Sequence, residues 1–140
     1  MCWYSYTRPK MKLATEDIPV EKVLKVSGLK ICSPLFKVTE WKLNEKKTTK
    51  LDDPFPLNSN YKYYVNQGFH SCREINWIHV FSTSGCWRNG KKLLFTSDNG
   101  EYVFEAIIPH GSLYYVNDEG DYVSDQLVIL RQKCWQLYRV

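Results

Sequence analysis

The sequence predicts an α+β fold, mostly antiparallel β-sheet packed by one main short helix over about 72–83, in a single domain covering residues 1–140. Three observations predict it. Several segments alternate apolar and polar residues with period two and are rich in β-branched and aromatic side chains. One segment carries a helix-start signal followed by apolar residues at helical spacing. Size and composition then bound the architecture: 140 residues, 44% hydrophobic and 24% charged with only 7 Gly and 6 Pro, describe one globular unit with a core of its own.

Taken in order, the segment 20–26 (Val-Glu-Lys-Val-Leu-Lys-Val) is the first strand and stops at Ser27-Gly28. Residues 35–43 alternate less regularly but remain strand-like. The stretch 44–60 reads as a long loop, in which Pro54 and Pro56 rule out helix. An aromatic strand is expected over 61–69. Ser71-Cys72-Arg73-Glu74 then has the Ser-x-x-Glu form of a capping box, and Ile75, Ile78 and Phe81 recur at threes to give one apolar helical face that ends at Ser84-Gly85. The last third reads as a meander. Asp98-Asn99-Gly100 and Asp118-Glu119-Gly120 each feed a Tyr-Val pair, as turns do before strands. Tyr102, Phe104, Ala106 and Ile108 form one apolar face, and 127–130 supplies a buried run for a neighbouring strand.

The aromatic content, 5 Trp, 10 Tyr and 6 Phe, means either a core of rings or a surface prepared for a partner, and composition does not choose between them. The formal net charge is +4, with basic and acidic residues interleaved. The nearest approach to a basic stripe is Lys42, Lys46, Lys47 and Lys50 beside Trp41, which reads first as a solvated loop or hairpin, so a nucleic-acid contact is the lesser expectation. Cys2, Cys32, Cys72, Cys86 and Cys134 are odd in number and form no Cys-x-x-Cys, and the N-terminus lacks a continuous apolar stretch. The expectation is a cytoplasmic protein with free thiols, no metal and no membrane span. His70 and Cys72 are close in sequence, yet a Cys on the apolar face of a helix is ordinarily core. Cys2 would become N-terminal on loss of Met1, without the rest of an N-terminal-nucleophile pattern. Asn117-Asp118-Glu119-Gly120-Asp121 lacks the alternating oxygen ligands of a calcium loop and reads as a turn.

Two resemblances add to this. Residues 105–116, Glu-Ala-Ile-Ile-Pro-His-Gly-Ser-Leu-Tyr-Tyr-Val, are similar to the catalytic strand and following hairpin of mono-ADP-ribosyltransferases, and Gly68-Phe69-His70-Ser71-Cys72 is similar to that family's Phe-x-Ser-Thr-Ser strand. The resemblance implies an ADP-ribosyltransferase-like fold and NAD as cosubstrate. It places Glu105 against charge developing on the nicotinamide ribose, Ser71 as strand support, and Lys22 or Lys25 on phosphate. The chain departs from the pattern in two places: a lysine stands where the family has a first-strand Arg, and Val103 stands at the paired acidic position. More loosely, most of the chain resembles small proteins of gut Bacteroidales and their phages. The shared features are a Met-Cys start, Lys22-Val23-Leu24, Gly68-Phe69-His70-Ser71 and the segment 108–125. That resemblance implies a phage or mobile-element accessory role and no particular activity.

The expected function is therefore a non-catalytic binding module, without a cofactor, for a host protein or a nucleotide-like ligand. Lys25, His70 and Tyr64 are its candidate contacts. The alternative is a divergent mono-ADP-ribosyltransferase using NAD, with Glu105, Ser71 and Lys22 as its catalytic set.

Overall fold

Alternation dominates the observed structure. The computed structural model describes residues 3–27, 30–33, 39–57, 62–73 and 101–132. Through them run the strands β1 (Tyr4–Ser5), β2 (Lys12–Leu13), β3 (Ile18–Ser27), β4 (Lys30–Cys32), β5 (Glu40–Trp41), β6 (Lys46–Thr48), β7 (Phe55–Leu57), β8 (Lys62–Tyr64), β9 (Phe69–Cys72), β10 (Glu101–Ile108), β11 (Leu113–Val116), β12 (Asp121–Ser124) and β13 (Gln126–Gln132). All pairings are antiparallel. The long sheet has the order β2-β11-β12-β9-β3-β10-β13-β6, with β4 and β5 branching from β3, and a small sheet has the order β1-β8-β7.

The expected α+β class is corrected to all-β: among the described residues there is no helix. Cys72, the expected first turn of the helix, instead closes β9, and 74–83 lies outside the described residues. The physical reason is long-range pairing. Ser71 stands opposite Tyr122, while Cys72 has Asp121 on one side and Glu21 on the other, so the ladder engages the backbone that a capping box would engage locally. Within 44–60 the chain forms β6 and β7, with 58–60 outside the described residues.

β3 and β10 are the spine, in register from Glu101 opposite Lys25 to Ile108 opposite Ile18. Their even-numbered residues face the core. Val20, Leu24, Phe104, Ala106 and Ile108 pack there with Leu127 and Ile129 of β13, Tyr122 of β12 and Trp41 of β5. Ala14, beside the edge strand β2, joins the same cluster, so the long sheet coils until its two ends share one interior, in a sandwich-like arrangement. The other face of β11 and β12 carries a second cluster, Tyr115 and Val123 with Trp3 and Val65, and this fixes the small sheet against the large one. Two hydrogen bonds reinforce the junction. Trp3 Nε1 donates to the Asp121 carbonyl at 2.8 Å, and Asn117 Nδ2 donates to the Tyr4 carbonyl at 2.8 Å.

Candidate functional site

The small sheet sorts its side chains by the same alternation. Trp3, Ser5 and Val65 are buried on the side facing β11 and β12. Tyr4, Tyr6, Lys62, Tyr64 and Phe55 therefore stand on the opposite side. Register lines them up, since Tyr4 is opposite Tyr64 and Tyr64 is opposite Phe55. The result is a row of four rings crossing three strands. Centroids are 5.6 Å apart from Tyr6 to Tyr4, 6.3 Å from Tyr4 to Tyr64, and 6.1 Å from Tyr64 to Phe55. Tyr6 is 64% exposed and the others are half-buried.

Cations accompany the rings. The Lys62 ammonium lies 4.2 Å from the Tyr4 centroid and 5.4 Å from that of Tyr6, whereas the Arg8 guanidinium lies 5.8 Å from Tyr63, which pairs with Ser5 on the other side of the small sheet. Each is attracted by the electron-rich ring face. One acidic neighbour bounds the row: Glu119 is the leading cause that raises the Tyr4 phenol above its ordinary value, ahead of burial.

Elsewhere, the residues singled out from the sequence fall into two groups on opposite faces of the long sheet. Lys22 shares the inward face with Val20 and Leu24, and its ammonium donates to the His70 carbonyl. Burial lowers it to about 8, because partial loss of solvent disfavours the charged form there. Ser71 is 4% exposed, opposite the core residue Tyr122, and its hydroxyl has no hydrogen-bond partner. Lys22, Ser71 and the His70 backbone thus meet on one side. Glu105 is on the other, between the inward-facing Phe104 and Ala106, where it is ion-paired with Arg131 and in register with Glu21. The sheet itself separates Glu105 from Ser71 and Lys22. Lys25 is exposed at the far end of β3, on the Glu105 face, opposite Glu101. His70 directs its ring to the face of Val123, away from Lys22. Of the candidate ligand contacts, Tyr64 alone belongs to the ring row.

The segment Pro109-His110-Gly111-Ser112 is not a hairpin. β10 and β11 are not neighbours, and β12, β9 and β3 stand between them in the sheet. The crossing is pinned to the residues around β2 instead. Gly111 N donates to the Ala14 carbonyl and His110 N to Asp17 Oδ1, while within the segment Ser112 Oγ donates to the Pro109 carbonyl. Cys72 is buried, which, with Asp121 second, pushes its thiol well above the ordinary range, the opposite of the shift that favours a thiolate nucleophile. Asn117 does cap a turn: its Oδ1 accepts from the Glu119 and Asp121 N–H groups.

Among the described residues no three His, Cys, Asp or Glu side chains gather as a metal site, and no helix is long and apolar enough to cross a membrane. Comparison with family models, curated proteins and solved structures finds no match to the chain. Tyr4, Tyr6, Phe55 and Lys62 were not singled out from the sequence. The available signal was the period-two spacing in Tyr4-Ser5-Tyr6 and Lys62-Tyr63-Tyr64, which puts rings and ammonium on one face of any strand these segments form.

Proposed function

We propose that the chain is a non-catalytic binding module and that the ring row on the small sheet holds a nucleotide-like ligand. The observation that carries this is the row itself, four rings on one sheet face with the Lys62 ammonium over two of them. A nucleobase offers a planar face to a ring and a phosphate offers charge to a lysine, so one ligand satisfies both. A protein partner would use the same rings as anchors but has no general need for the cations beside them. The resemblance to phage and Bacteroidales proteins supports an accessory role for such a module.

Titration with AMP and with inorganic phosphate, followed by NMR or tyrosine fluorescence, tests the reading. AMP is expected to shift the signals of Tyr4, Tyr6 and Tyr64, and phosphate alone to bind far more weakly. Base stacking on an aromatic side chain contributes about 1–3 kcal/mol. Tyr64→Ala should accordingly weaken AMP binding by roughly five- to a hundredfold while the circular dichroism spectrum stays that of the parent. Absence of any shift with AMP up to millimolar concentration removes the proposal.

A further inference from the structure

We infer that the ligand of this surface is a single-stranded nucleic acid laid across the small sheet, one base to each ring, rather than a free mononucleotide. The inference rests on the nucleotide reading above and deepens it. One base covers one ring, and the row has four, spread over three strands. Their spacing discriminates between forms of nucleic acid. The rings are 5.6 to 6.3 Å apart, whereas successive bases of a duplex strand rise by only about 3.4 Å. Bases seated on successive rings must therefore be drawn apart, as an extended single strand allows and a duplex does not. The ring planes are also mutually inclined, at 84°, 46° and 32° along the row, so each ring offers its own seat and the four do not form one continuous stack.

Charge is arranged to match. Lys62 sits at the Tyr4–Tyr6 end, its ammonium over both rings. This ammonium provides the phosphate contact beside the rings. The Lys62 ammonium lies over the face of Tyr4, within reach of the backbone phosphate of a base seated on that ring. Glu119, whose carboxylate acts on the Tyr4 phenol, repels phosphate on its side and so directs the backbone toward Lys62.

Competition against a fluorescent oligothymidylate tests the inference, using thymidine monophosphate, unlabelled oligothymidylates of roughly two to eight nucleotides and a blunt duplex of similar length. Affinity is expected to climb at least a hundredfold from the monophosphate to about four nucleotides and then level off, with the duplex at least tenfold weaker than the single strand. Tyr6→Ala, at the exposed end of the row, should move the plateau to a shorter oligomer. Lys62→Ala should lower the salt slope by about 0.7, the share of one phosphate on a single strand. Equal affinity for the monophosphate and the longest oligomer would overturn the polymer while leaving the nucleotide reading intact. Binding of neither would end both. Duplex binding as tight as single-strand binding would reduce the surface to unspecific charge attraction and overturn the single-strand inference.

Discussion

Lys22 carries an ammonium where its neighbours on the same face, Val20 and Leu24, carry hydrocarbon, and it donates to the His70 carbonyl. Burial lowers its pKa from 10.5 to about 8. The folded state therefore binds this proton more weakly than the unfolded chain does. The penalty is complete below pH 8 and is relieved as pH rises from there through 10.5, so the contribution of Lys22 to stability increases with pH across that window. Lys22→Met removes the titration, and comparing the two proteins cancels the other titrating groups. Relative to Lys22→Met, the parent is expected to gain about 2 kcal/mol between pH 6.5 and pH 9.5, read from urea midpoints. A difference that does not change with pH would show that the amine is solvated. None of this was legible in the sequence, where Lys22 is one of two lysines in an alternating strand. Only the register of β3 against β10 sets it opposite Phe104 and turns it inward.

At the scale of elements, the junction between β8 and β9 depends on Gly68. Its φ of +151° is one that side-chain-bearing residues rarely adopt, and a Cβ built there falls 2.5 Å from Val123 Cγ2 and 2.8 Å from Leu51 Cδ1. Val123 is fully buried and cannot withdraw. Gly68→Ala combines overpacking with backbone strain and should destabilise the protein by roughly 2–4 kcal/mol, measured by denaturant unfolding; a loss below about 0.5 kcal/mol would mean that the junction relaxes freely. Elements carried by local alternation were legible. The strand expected over 20–26 is the centre of β3, the 102–108 face is that of β10, and the run 127–130 lies in β13. The expected helix shows where such reading stops. A Ser-x-x-Glu box is a local signal, and it competes with a partner strand about fifty residues downstream, whose Tyr122 and Asp121 claim Ser71 and Cys72. The ring row is hidden for the same reason. Each aromatic pair is visible in its own segment, but β1 meets β8 only across some sixty residues of chain, which no periodicity encodes.

At the scale of the whole molecule, the described residues divide into a large coiled sheet with one extensive core and a small sheet held to it by a modest one. β3 and β10 are each paired along both edges, whereas the small sheet relies on Trp3, Val65, Tyr115, Val123 and Leu51 together with the Trp3 and Asn117 hydrogen bonds. Regions with fewer buried apolar contacts open at lower free energy than the centre of a core. Hydrogen exchange should therefore be slowest in β3 and β10 and at least about tenfold faster in β1, β7 and β8. Trp3→Ala sharpens the test, because it empties the largest side chain of the second cluster and removes a hydrogen bond to Asp121, a loss of about 3–5 kcal/mol in a buried site. Amide protection in β1 and β8 should collapse in this variant while that of β3 and β10 persists, and affinity for the proposed oligothymidylate ligand should fall with the small sheet even though no ring of the row has been altered. If protection in all four strands drops together, the two sheets form one cooperative unit. The proposed binding surface would then be rigid by construction, and affinity for the oligothymidylate would track global stability instead of the integrity of the Trp3 junction.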